Sequence, residues 1–87
     1  MFQIARAPLA HIYSLAYSHS GAFIASADAG GFVKVWDGKS GAFVAEFQGH
    51  DEKVKSVVWT PDDRFVVSSS EDGTVRAWSI LDMLRLQ

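Results

Sequence analysis

The hydrophobic positions of this chain gather into seven short runs, at residues 12–17, 22–27, 32–36, 42–48, 54–59, 64–70 and 74–78. The runs are rich in Val, Ile, Phe, Tyr and Trp, the residues that fit a pleated, half-buried surface. Polar turn clusters separate them: Ser18-His19-Ser20-Gly21, Asp28–Gly31, Asp37-Gly38-Lys39-Ser40-Gly41, Thr60-Pro61-Asp62-Asp63 and Glu71-Asp72-Gly73-Thr74. In the fourth of these, Pro presets the φ that a type I turn wants, and Asp bonds its own backbone. In the others Gly supplies any positive φ the chain requires. No stretch carries helical periodicity with a capping signal, so the pattern predicts an all-β chain.

The runs repeat. A shift of 42 residues lays 12–38 on 54–80 without a gap. Six of those 27 positions are identical: Ser14/Ser56, Phe23/Phe65, Ser26/Ser68, Gly31/Gly73, Val33/Val75 and Trp36/Trp78. Chance at a background of about one in seventeen gives only about one or two. Conservative pairs fill the rest, among them Ile12/Val54, Leu15/Val57, Tyr17/Trp59, Ile24/Val66 and Lys34/Arg76. Residues 2–6 align with 44–48, and residues 81–87 with 39–45. The chain thus begins and ends inside one element. For Leu81–Gln87 the readings are a continuing strand, a short amphipathic helix or a frayed tail.

Composition narrows the function classes. The chain has 87 residues, 48% hydrophobic, 13% aromatic and 21% charged. That is a globular composition, with room for one small domain or part of a larger one. The net charge is -2 with both signs interspersed, so the electrostatic footprint expected for nucleic acid is missing. No cysteine is present, which excludes disulfides and thiolate metal sites and fits an intracellular setting, cytoplasmic or nuclear. No run approaches a membrane span, and residues 1–8 lack the pattern of a signal peptide. No motif calls for a cofactor.

The second copy carries the sequence Gly49-His50, then Val54-Lys55-Ser56-Val57-Val58-Trp59-Thr60-Pro61-Asp62-Asp63, then Val67-Ser68-Ser69-Ser70-Glu71-Asp72-Gly73-Thr74-Val75-Arg76-Ala77-Trp78. This resembles a blade of the WD-repeat (WD40) family. Val33-Lys34-Val35-Trp36-Asp37 holds the Trp-Asp pair of the family's name, which becomes Trp78-Ser79 in the second copy. The resemblance implies two four-stranded antiparallel β-propeller blades, as a partial propeller or one subunit of an assembled ring. On it, residues 1–7 end the last strand of a preceding blade, 8–48 form the first repeat, and 49–87 form the second with its last strand incomplete.

The resemblance also implies a hydrogen-bond relay from the Trp78 indole to Ser68, His50 and Asp72. A buried indole N–H needs an acceptor, a hydroxyl accepts and donates at once, and a carboxylate fixes the imidazole tautomer. In the first copy Ser26 and Trp36 are present, but Pro8 stands in the place of His50 and Gly30 in that of Asp72. Asp28 and His11 are near but out of register, so only a partial relay is expected there.

Each candidate has a plainer counterpart. His50, Ser68 and Asp72 are the residue types of a hydrolase triad, but Ser68 lies mid-strand and no Gly-x-Ser-x-Gly elbow surrounds it. Catalysis is therefore disfavoured. The acidic pairs Asp51-Glu52, Asp62-Asp63 and Glu71-Asp72 have no His or Cys at ligand spacing and read as solvated turns. Gly30-Gly31 precedes a strand, not a helix, and reads as a turn rather than a phosphate loop. Trp59 and Tyr17 read as packing between blades. His11, Tyr13, Lys53 and Lys55 lie at the starts of the first strands, on the rim where the resemblance implies peptide or protein partners.

Two function readings follow. One is a non-catalytic interaction scaffold with protein or peptide partners on its rim, and neither nucleic acid nor membrane. The other is a purely structural blade pair that completes a larger propeller or a homo-oligomeric ring, with no ligand of its own. Two blades leave two apolar faces and open edges uncovered. Further blades must come from the parent chain or from other copies, three copies giving six blades and four giving eight. In a ring of copies, the Leu84–Gln87 end of one chain is expected to be continued by Phe2–Arg6 of the next.

Overall fold

The computed structural model describes residues 11–85. They form seven strands and one short helix: β1 (Ile12–Tyr17), β2 (Phe23–Asp28), β3 (Phe32–Asp37), β4 (Phe43–Gln48), β5 (Val54–Trp59), β6 (Phe65–Ser70), β7 (Val75–Ser79) and α1 (Ile80–Arg85). β1 to β4 make a four-stranded antiparallel sheet in sequence order, and β5 to β7 a three-stranded one. These are the two blades the repeat predicts, and the 42-residue shift maps one onto the other. Even the irregularities repeat: β1 is bulged between Ile12 and Ser14, and β5 between Val54 and Ser56.

The second blade departs from four strands. Where β4 stands in the first blade, the second turns directly into α1. The sequences at that point differ in kind. Gly38, Ser40 and Gly41 of the first copy are replaced by Ile80, Asp82 and Met83 in the second. Two helix-weakening glycines thus give way to better helix formers. Ser79 Oγ accepts the Asp82 backbone N–H at 3.3 Å, and Asp82 lies in the first helical turn, where a negative charge is favourable. Ile80 is 6% exposed and anchors the helix in the core. Of the three readings of the C-terminal segment, the helix is the one formed. The strand expected to run through Leu84 into a neighbouring copy is therefore absent at residues 84–85, and the proposed continuation by residues 2–6 lies outside the described residues. So does the segment 1–7.

The two sheets share one core. Directly paired residues point to the same side of a sheet. Ala16, Ala25, Val35 and Ala45 therefore lie on one face of the first blade, with Ala27, Val33 and Phe47 beside them. Val57, Trp59, Val66 and Trp78 lie on one face of the second. These two faces pack together: Ala25, Ala27, Val33, Val35, Val54, Val57, Trp59 and Val66 are all buried in one cluster. Small residues on one side make room for large ones on the other. Phe23 stacks on Trp59 with ring centroids 6.3 Å apart, and Phe47 stacks on Trp78 at 5.0 Å. Polar contacts fix the register. The Trp59 indole N–H donates to the Ala16 carbonyl at 2.7 Å, and the Val57 N–H reaches Ser14 Oγ at 3.4 Å.

Asp63 has a part that its place in an acidic pair did not suggest. It takes a left-handed conformation, φ 59°, and its two carboxylate oxygens accept the backbone N–H groups of His19 at 2.8 Å and Ser20 at 2.9 Å. It clamps the first blade's β1–β2 turn to the second blade, while Asp62 caps its own turn through Arg64 N–H and the Thr60 hydroxyl.

The blades' backbones approach closely at Gly31. It has φ 86°, and a Cβ there would lie 2.6 Å from the His50 carbonyl oxygen. Gly73 holds the same place in the second blade, with φ 86° but open space around it. Gly73→Ala is expected to cost about 1 kcal/mol, the strain of a left-handed alanine alone. Gly31→Ala is expected to cost about 2–4 kcal/mol, because the His50 backbone must also move. Urea unfolding of the two variants measures the difference; equal costs would mean that this approach does not hold the blades together.

Candidate functional site

The polar centre of the second blade assembles from four elements. His50 lies near the start of the β4–β5 connection, Ser68 sits in β6, Asp72 in the β6–β7 turn and Trp78 in β7. Ser68 is fully buried and the His50 side chain is 0% exposed. The Trp78 indole N–H donates to Ser68 Oγ at 2.8 Å. Ser68 Oγ lies 2.7 Å from His50 Nε2, and His50 Nδ1 lies 3.1 Å from Asp72 Oδ2. With Nδ1 against a carboxylate, the neutral ring carries its proton there, leaving Nε2 to accept the Ser68 hydroxyl proton. The chain of donors then runs in one direction from indole to carboxylate.

Two members were not foreseen. The Thr74 hydroxyl donates to Asp72 Oδ1 at 2.6 Å and lies 3.1 Å from His50 Nδ1. The Asp51 backbone N–H donates to Asp72 Oδ2 at 3.0 Å, and that of Thr74 to Oδ1 at 2.9 Å. The sequence signal was available in the Asp-Gly-Thr turn, since an Asp at a turn bonds the backbone two residues on. These bonds hold the Asp72 carboxyl well below its ordinary value. The Thr74 hydroxyl contributes most, followed by the Asp51 and Thr74 backbone N–H groups and then His50, against an opposing desolvation cost.

The first blade holds a shorter version. The Trp36 indole N–H donates to Ser26 Oγ at 3.1 Å. Asp28 does not extend this pair. It is 2% exposed and closes its own turn, with Oδ1 accepting Gly30 N–H at 2.9 Å and Phe32 N–H at 3.2 Å. Lys34 Nζ stands 3.8 Å from its other oxygen. His11 is exposed, and Pro8 lies outside the described residues.

The triad reading of His50, Ser68 and Asp72 meets a geometric obstacle. The hydroxyl a nucleophile would use is buried and already holds the indole N–H. What the arrangement can do is tie the connection at His50 to the turn at Asp72 across the blade.

The rim residues form a second group. Tyr13 is 40% exposed, and Lys55 Nζ lies 4.9 Å from its ring centroid, joining the two blades. Lys55 also reaches Glu71 at 3.4 Å. Lys53 and His11 are exposed on the same rim. Their carbonyls accept the N–H groups of Glu71 at 3.0 Å and Ala29 at 2.8 Å, at the starts of the two equivalent turns. Tyr17 is 59% exposed and Trp59 only 7%, so the one aromatic position is open in the first blade and packed between blades in the second.

Comparisons with known proteins bear on these sites. The family model described as "WD domain, G-beta repeat" matches residues 5–37 and 41–79. The chain is 30% identical over 74 residues to Protein ROOT INITIATION DEFECTIVE 3 of Arabidopsis thaliana, covering 85% of this chain and 17% of that protein. It is 40% identical over 68 residues to Polyadenylation factor subunit 2 of Cryptococcus neoformans var. neoformans, covering 78% and 9%. It is 42% identical over 74 residues to WD repeat-containing protein 1 of Xenopus tropicalis, covering 82% and 12%. The chain thus spans 17% or less of the length of these three relatives. Among solved structures it is similar to the computationally designed Ika4 protein, with a TM-score of 0.72, 34% identity, and coverage of 85% of this chain and 44% of that one.

The polar centre generates two expectations. His50→Ala leaves buried Ser68 and Asp72 without their link and is expected to cost about 1–3 kcal/mol of stability, with Ser26→Ala costing less. Chemical denaturation checks both, and equal costs would mean that the two blades do not differ in this respect. The second concerns acid. A carboxyl whose folded pKa is depressed contributes stability that is present above its ordinary value of 3.8 and is lost as pH falls through the folded value. Stability should therefore fall as pH drops below about 4, and less steeply in Asp72→Asn than in the parent. Asp63, held low first by the His19 N–H, contributes to the same limb and remains in that variant.

Proposed function

The chain belongs to the WD domain, G-beta repeat family, the WD40 repeats, and we propose that it serves as a non-catalytic protein–protein interaction scaffold with its partner site on the rim. The family is generally non-catalytic and its members work in protein complexes; one relative is by name a subunit of a polyadenylation factor. That name also supports an intracellular setting. The observation that carries the rim assignment is the Tyr13–Lys55 pair. An aromatic ring, 40% exposed, and a cation 4.9 Å from its centroid stand at the junction of two blades. Aromatic and cationic side chains held in place by their neighbours are what binding hot spots are made of.

Around the pair, Lys53, Lys55, Glu52 and Glu71 present mixed charge. This suits a peptide segment recognised by a few oriented side chains more than a uniformly charged polymer. Rigid strands set the position of each residue, so little entropy is lost on binding.

Tyr13→Ala is expected to weaken capture of a protein partner about 10- to 30-fold, with Lys53→Ala and Lys55→Ala each costing less. The measurement is affinity capture with the parent protein, followed by titration of the recovered partner against each variant, with circular dichroism to show that the strands persist. Unchanged affinity in all three variants would sink the rim assignment.

A further inference from the structure

We infer that Ser70 is a positioning residue for the rim: it locks the β5 bulge from across the strand pair and so holds Lys55 over Tyr13. The purpose of this lock rests on the rim reading above; its geometry does not.

Both members of the rim pair are surplus residues. In the first blade Ile12 faces Asp28 and Ser14 faces Ala27, so Tyr13 is left unpaired in the ladder. In the second, Val54 faces Ser70 and Ser56 faces Ser69, so Lys55 is left unpaired. A bulge bends its strand and re-aims the side chain it carries. The ladder does not hold a surplus residue as it holds its neighbours. The direction of Lys55 therefore depends on what pins the backbone beside it.

Ser70 stands directly across the second bulge and supplies that pin. Its hydroxyl donates to the Lys53 carbonyl at 2.8 Å and lies 3.2 Å from the Glu52 carbonyl oxygen. The same oxygen accepts the Asp72 N–H at 3.1 Å. The Glu71 N–H also donates to the Lys53 carbonyl, at 3.0 Å, and the Glu71 carboxylate stands 3.4 Å from Lys55 Nζ. One hydroxyl thus ties the backbone just before Lys55 to the turn that carries its counter-ion. The first blade bounds the segment on its other side, where a Cβ at Gly31 would lie 3.3 Å from the Glu52 carbonyl oxygen. Pinned between the two, the strand brings Lys55 Nζ to 4.9 Å from the Tyr13 ring centroid.

The first blade shows what the lock adds. Asp28 stands there in the place of Ser70. A carboxylate has no proton to give a carbonyl. Asp28 Oδ1 instead accepts the Gly30 and Phe32 N–H groups of its own turn. Among the described residues, the His11 carbonyl is held by the backbone N–H of Ala29. The two bulges therefore match in backbone pattern and differ in their side-chain lock. Lysine loses more rotamer freedom on being ordered than tyrosine, so the lock falls on the member of the pair that is harder to hold.

Proton–carbon correlation spectra of the 87-residue chain test the inference. A lysine held over a ring face has its ε-methylene protons shifted upfield by the ring current. The Lys55 signal, assigned by its loss in Lys55→Arg, is expected upfield of those of Lys39 and Lys53, and to return to the ordinary lysine position in Tyr13→Leu. Ser70→Ala is expected to return it there too, while the indole N–H signals of Trp59 and Trp78 stay in place because the blade junction and the Ser68 bond persist. Ser70→Thr keeps a hydroxyl at that point and is expected to keep the upfield signal. A Lys55 signal that is not upfield in the parent, or that stays upfield in Ser70→Ala, would overturn the inference. So would a Ser70→Thr spectrum like that of Ser70→Ala, or a Ser70→Ala spectrum in which both indole signals move as well. The readout is the pair itself and not capture of a partner, so a failure of the rim reading leaves this result standing, and a failure here leaves the capture test standing.

Discussion

The structure depends on one face of a sheet being buried by the opposite kind of face of the next. Neither sheet is stable alone, since each has apolar residues on both sides and only its neighbour can cover them. In this chain the requirement is met once, where small residues of β2 receive the large residues of β5 and β6. Full burial of each Val or Ile is worth about 1.5–3 kcal/mol, so this single interface outweighs any one polar contact. The polar contacts decide something else. Apolar faces slide past one another at little cost, whereas the Trp59–Ala16 bond, the Asp63 clamp and the approach of Gly31 to His50 each permit only one register.

The polar centre of the second blade is best understood against that interface. Trp78 presents its ring to Phe47 of the first blade and its N–H to Ser68 of its own. Burying the ring alone would strand the indole N–H, and burying Ser68 would strand a hydroxyl. The chain through His50 to Asp72 resolves both at once and ends on a carboxylate that three further donors, the Asp51 and Thr74 backbone N–H groups and the Thr74 hydroxyl, hold ionised. Among the described residues of the first blade the chain is shorter: Trp36 bonds Ser26, and Asp28 is committed to its own turn. The two copies therefore share a fold but differ in how firmly turn and connection are tied across the sheet.

Much of this was legible in the sequence because it rests on local periodicity. The strands follow from short runs of β-branched and aromatic residues, and the blades from the 42-residue repeat, whose identities include both tryptophans and both relay serines. What was hidden has specific causes. Thr74 was overlooked because a threonine after Gly in a turn reads as turn chemistry, and its second bond, to His50, spans the blade. Asp63 read as a solvated member of an acidic pair because its partners are backbone N–H groups 43 and 44 residues away, which carry no side-chain signature. The helix at Ile80–Arg85 broke a repeat that elsewhere holds in register; the loss of Gly38 and Gly41 counterparts was visible, but the tertiary choice between helix and strand was not.

Divergence between the copies is what gives the chain a direction. Two identical blades would offer the same polar contacts on either face. Here the turn at 60–63 carries a carboxylate and the turn at 18–21 the N–H groups it binds, while the reverse arrangement has Gly21 and Pro61 in those places. The clamp therefore marks the junction between the two blades. The Tyr13–Lys55 pair bridges that same internal interface at the rim, so the geometry of the rim is set by the junction that the clamp secures.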